Sequence, residues 1–196
     1  KGKARQMVTL DVTGKTGADR VVLLGLGKAA DLGPAILRDF AAIGIDEALK
    51  SRFDRVAIVA PRSAATDGIQ LVVGAQLGTY RFTDLQADPE DAPRPSVNEL
   101  TIIGSEASSE QLASAGHMAA AVNLARTLTN EPANICTPER FEALAEEIAK
   151  APGFELLVLD RAEMQARGMG GIIGVSQGAS REPRFIHLTY KPSGES

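Results

Sequence analysis

Gly25-Leu26-Gly27-Lys28-Ala29-Ala30 carries the spacing of a G-x-G-x-x-A turn. Bare backbone amides in such a turn cradle a dinucleotide phosphate where a helix begins. A nucleotide site of this kind also needs an acidic side chain at the end of the next strand to hold a ribose. Here that strand ends in Ala60-Pro61-Arg62. The glycines are therefore expected to make a tight strand-to-helix turn. His117 and His187 lie in no H-E-x-x-H pattern and beside no carboxylate at helical spacing, so neither reads as a zinc ligand. His117 falls in an alanine-rich helix and His187 on a strand between Ile186 and Leu188, positions that suit packing or simple exposure. Cys136 would need a base beside it in space to act as a nucleophile, and a small apolar residue at a helix start is the expected role. Being the one cysteine, it allows no internal disulfide and no thiolate metal cage. Ser176-Gln177-Gly178-Ala179-Ser180 is not a G-x-S-x-G elbow and reads as a loop. Glu142, Glu146 and Glu147 share a helix with an apolar stripe and read as its solvated face. No catalytic, cofactor-binding or metal-ligating residue is assigned from these patterns.

The elements that would position these residues alternate between strand and helix. Residues 5–12 alternate as a strand, with a turn at 14–17. Residues 21–27 form a continuous apolar run, expected to be a strand buried on both faces of a parallel sheet. Asp31 is placed to cap a helix in which Ile36, Phe40 and Ile43 recur at helical steps. A strand over 55–61, a helix over 64–82 and a strand over 97–104 follow, with a proline-rich exposed connector at 88–95. Ser108 with Gln111 makes a capping box for a long helix through about residue 128. Thr137-Pro138 starts the next helix, whose stripe is Phe141, Leu144, Ala145, Ile148 and Ala149. A strand over 154–159, a short helix over 161–167, a flexible glycine corner over 168–171, an element over 172–175 and a strand over 184–190 complete the chain. This interleaving is the α/β signature.

The chain has 196 residues, enough for one domain plus part of another. Apolar residues at 44% and charged residues at 23% rule out wholesale disorder. A net charge of −4 speaks against a nucleic-acid groove, although Arg52, Arg55 and Arg62 form a candidate local basic patch. No apolar run reaches the roughly 18 residues of a membrane helix. A reducing cytoplasm suits the single cysteine. Because the chain opens on Lys1 and not on Met, its true beginning is expected upstream.

Two segments are more specific than their physics requires. Asn123-Leu124-Ala125-Arg126-Thr127-Leu128-Thr129-Asn130-Glu131-Pro132-Ala133-Asn134-Ile135-Cys136-Thr137-Pro138-Glu139 resembles the stretch of the leucyl aminopeptidase (cytosol aminopeptidase) family in which a linking helix enters the catalytic domain. Gly168-Met169-Gly170-Gly171-Ile172-Ile173-Gly174-Val175-Ser176-Gln177-Gly178-Ala179, followed by Pro183-Arg184-Phe185-Ile186-His187-Leu188-Thr189-Tyr190-Lys191, resembles the stretch before that family's first metal-binding loop. Order and separation also match, and residues 1–122 agree more loosely.

The resemblance implies a macro-domain-like N-terminal α/β domain over 1–106, a linking helix over 107–130, and the opening layer of the α/β catalytic domain over 131–196. It implies a metalloaminopeptidase that releases N-terminal residues, leucine prominently, from peptide substrates. It also implies two divalent metals, Zn²⁺ or Mn²⁺, in a cytoplasmic homo-hexamer with no membrane association. In the family, a lysine-bearing glycine loop, an Asp-Ser-Gly-Gly-like motif and an Asn-Thr-Asp-Ala-Glu-Gly-Arg-like motif supply the metal site. These would follow Ser196, and the family's first strand or two would precede Lys1. The expectation is therefore a chain that supplies scaffold, binds no metal by itself and is inactive alone. The alternative is a non-catalytic macro-like module that binds a nucleotide at residues 25–30 or associates with DNA.

Overall fold

The computed structural model describes residues 2–15, 17–62, 64–86 and 94–192. These divide into two compact units, Lys1–Thr127 and Leu128–Ser196. Most of the proline-rich connector expected at 88–95 lies outside the described residues.

The first unit opens with a hairpin. Strand β1 (Met7–Asp11) pairs antiparallel with β2 (Arg20–Leu24), in a register that sets Met7 against Leu24 and Asp11 against Arg20. Gly14 turns the chain between them at φ +74°. The apolar run at 21–27 is therefore not a doubly buried parallel strand. Its partner is the strand just before it. A parallel pairing would need a crossover of about a dozen residues or more, and the connection over 12–19 is shorter than that. All of β1 is exposed, and so is Leu23 of β2.

Helix α1 (Pro34–Lys50) begins with Gly33 as N-cap and proline in its first turn. Asp31 does not cap it, because the residue is used in a one-turn helix at Ala29–Asp31. The buried stripe of α1 is Leu37, Ala41, Ile45, Ala48 and Leu49. Ile36 and Ile43 instead lie one step round the helix, beside Leu24 and Leu26, while Phe40 lines the same recess and also packs against the core. The helix thus has two apolar faces, which the periodicity alone merges into one.

Strand β3 (Arg55–Val59), helix α2 (Ala65–Thr79) and strand β4 (Glu99–Ile103) form a crossover unit with β3 and β4 parallel. Val56 and Ile58, paired with Leu100 and Ile102, face the core of Leu37, Ala41, Ile45, Leu49, Leu71 and Ala75. Each fully buried leucine or isoleucine contributes roughly 1.5–3 kcal/mol. The alternate residues Val59 and Ile103 are exposed, as the two-residue period of a strand requires. Helices α1 and α2 approach backbone to backbone. A Cβ added at Gly74 would lie 2.5 Å from Arg38 Cα, and one at Gly78 would lie 2.8 Å from Ala42 Cα.

Helix α3 (Ser109–Asn130) starts at the expected capping box. The Gln111 amide N–H donates to Ser108 Oγ at 3.2 Å, and the Ser108 amide donates to Gln111 Oε1 at 3.0 Å. Ala115 and Ala119 are its buried residues. Farther along, Asn123 Nδ2 donates to Gln76 O at 3.1 Å and Arg126 donates to Leu77 O at 3.2 Å. Both bonds help to cap the carbonyls at the end of α2, where Gln76 O also accepts from the Thr79 hydroxyl at 2.8 Å. Arg126 also lies 5.5 Å from the Tyr80 ring centroid, and the Thr127 hydroxyl donates to Tyr80 Oη at 3.4 Å.

The second unit contains α4 (Pro138–Ala149), β5 (Phe154–Leu159), α5 (Arg161–Ala166), α6 (Gly170–Ser176) and β6 (Phe185–Tyr190). Strands β5 and β6 pair antiparallel, Phe154 with Tyr190 and Leu159 with Phe185. Gly153 (φ +88°) makes the entry turn, where a Cβ would meet Lys191 O at 2.7 Å. The supposed flexible corner at 168–171 is in part ordered helix. Gly168 turns at φ +69°, and Gly170 and Gly171 begin α6.

Candidate functional site

The site builds from the segment that joins α3 to α4 in the second unit. Pro132 breaks the helical run, and its carbonyl accepts from both Ile135 N (2.8 Å) and Cys136 N (2.9 Å). This tight turn delivers Thr137 to the N-cap of α4, where its hydroxyl accepts from Arg140 N at 3.3 Å. Across from the turn runs the segment between α6 and β6. Ala133, Cys136, Thr137 and Pro138 of the first segment and Ser176, Gly178, Ser180, Arg181, Pro183 and Arg184 of the second line one open cleft of about 520 Å³. The fold therefore brings together the two stretches that stand out in the sequence.

The charges around the cleft are paired. Arg184 Nε donates to Glu142 Oε2 at 2.7 Å, with both side chains mostly buried, and this bond raises the arginine pKa further. Glu142 is thus an internal tie between α4 and the segment before β6. The expected solvated role holds for exposed Glu146 and for Glu147, which pairs with Lys150 at the surface. Arg181 lies 3.8 Å from Glu139, close enough for Coulomb attraction and too far for a hydrogen bond. The Glu139 pKa is lowered first by the hydrogen bond from its own backbone N–H and then by the Thr137 hydroxyl. Arg140 donates to Glu131 Oε1 at 3.3 Å.

Cys136 sits half-buried in this cleft, and the residues lining it include no histidine and no carboxylate that could take its proton. The cleft offers guanidinium groups and hydroxyls, a polar recess without an assembled acid–base pair. His187 is exposed on β6, with its Nε2 3.3 Å from Thr189 Oγ1, and His117 is exposed on α3. Among the described residues no group of three or more His, Cys, Asp or Glu comes together to hold a metal ion. The described residues therefore do not fit a metal centre.

In the first unit the glycines at 25–27 serve the backbone. Gly25 N donates to Gln6 O at 2.7 Å, and Arg5 N donates to Gly25 O at 2.8 Å. A Cβ on Gly25 would lie 3.1 Å from the carbonyl carbons of Gly2 and Lys3 and nearer still to Lys3 O. The recess beneath this turn holds only about 60 Å³, far below the roughly 300 Å³ at which small-molecule pockets begin. In the candidate basic patch, Arg55 pairs with Glu99 at 3.0 Å. Arg62 makes a bidentate pair with buried Asp67 at 2.7 and 2.8 Å.

Sequence reasoning missed Asn123 and Arg126 as the groups that close the end of α2, and Glu142 with Arg184 as a buried tie. Each pair is separated by more than forty residues, and no local pattern signals it.

Comparisons with known proteins agree on one group. Residues 1–89 match the cytosol aminopeptidase family N-terminal domain, and residues 123–196 match the catalytic domain of the same family. A probable cytosol aminopeptidase of Roseiflexus castenholzii is 37% identical over 197 residues, covering 96% of this chain and 40% of the relative. One of Trichodesmium erythraeum is 34% identical over 194 residues, covering 98% and 39%. Among solved structures, a mutant of tomato leucine aminopeptidase superposes with a TM-score of 0.86 at 24% identity, over 100% of this chain and 40% of that one. The bottromycin maturation enzyme BotP in complex with Mn gives 0.82 at 25% identity, over 97% and 40%. The chain thus spans about 40% of the length of the relatives it matches. No helix among the described residues is long and apolar enough to cross a membrane.

Proposed function

The chain belongs to the cytosol aminopeptidase family, and from that premise we propose that it contributes the N-terminal part of a metalloaminopeptidase. In this reading residues 1–106 are the macro-like N-terminal domain, 107–130 the linking helix and 131–196 the opening layer of the catalytic domain. The whole enzyme releases N-terminal residues, leucine foremost, from peptides. It works in the cytoplasm as a homo-hexamer with two divalent cations, Zn²⁺ or Mn²⁺. The metal ligands lie outside residues 1–196, and these residues supply scaffold and no catalytic or metal-binding side chain.

One observation carries the reading. The two family-matching stretches of the second unit fold against a single cleft, where Glu142 is hydrogen-bonded to Arg184 and Glu139 faces Arg181 at 3.8 Å. The similar enzyme BotP forms a complex with Mn, which supports the choice of metal. The test is release of leucine from a leucyl amide in the presence of Mn²⁺ or Zn²⁺. Residues 1–196 alone are expected to show none. Activity is expected when they are joined to polypeptide matching the remaining length of the relatives. Robust metal-dependent turnover by residues 1–196 alone would overturn the assignment.

A further inference from the structure

We draw no further inference here: the strongest candidate, the open polar cleft between the start of α4 and the segment joining α6 to β6, carries nothing, because Arg184 there is bonded to Glu142, Arg181 faces Glu139, and nothing in the structure shows what covers it.

Discussion

Helices α1 and α2 meet where neither has a side chain to spare, and that closeness can be tested with one methyl group. Replacing Gly74 by alanine raises helix propensity by about 1 kcal/mol, so on local grounds the protein should become more stable. The new Cβ, however, would lie 2.5 Å from Arg38 Cα and 2.7 Å from its carbonyl carbon. Carbon atoms rest comfortably at about 3.5–4.0 Å, so the helices must part by roughly 1 Å. Parting them loosens Leu37, Ala41, Leu71 and Ala75 together. Overpacking of this kind costs about 1–3 kcal/mol or somewhat more against rigid backbone. Gly74→Ala is therefore expected to be destabilised by about 1–2 kcal/mol net of its propensity gain. Gly44, in the middle of α1, has nothing within 4 Å of an added Cβ. Gly44→Ala should therefore gain about 0.5–1 kcal/mol. With a urea slope of about 2 kcal/mol/M, the two midpoints should differ by roughly 1 M, the Gly44 variant above wild type and the Gly74 variant below it. Equilibrium urea unfolding followed by far-UV circular dichroism reads this directly. A Gly74→Ala midpoint at or above wild type would refute the claim that bare backbone at this crossing holds the first unit together.

Arg62→Ala should destabilise the protein more than the double change Arg62→Ala with Asp67→Ala, because the single variant leaves the buried Asp67 carboxylate without its bidentate partner; a double-mutant cycle in urea in which the double variant is the weaker would reject this. Glu139 has a folded-state pKa below its ordinary value, so it contributes stability above the unfolded carboxylate pKa and loses that contribution as pH falls through the folded one. Glu139→Gln is accordingly expected to flatten the fall in melting temperature below about pH 4.3, and parallel curves for the two proteins would contradict the assignment.

Much of this was readable in the sequence, for reasons that are local. The Ser108–Gln111 box and the Thr137-Pro138 start are helix signals whose partners lie within three residues, and both form as written. The segments around 123–139 and 168–191 pointed to the family that the comparisons support. What escaped depended on distance. An apolar run at residue 21 does not say which strand it will join, and the hairpin connection decides that. The spacing of Ile36, Phe40 and Ile43 is helical, but the core is built on Leu37, Ala41 and Ile45 with Phe40 packed against it, because the buried side of α1 is set by α2 and β3. Glu142 looked like surface until Arg184, forty-two residues on, came to meet it.

The crossing of the first residues over Gly25 has a consequence for any dinucleotide approaching that loop. The amide it would need is already given to Gln6, and the space a phosphate would fill is held by the Lys3 carbonyl. Nucleotide and residues 2–6 would be rivals for one stretch of main chain, so occupancy by the first would require the second to peel away. A glycine-rich fingerprint can in this way be spent entirely on letting a polypeptide pass over itself.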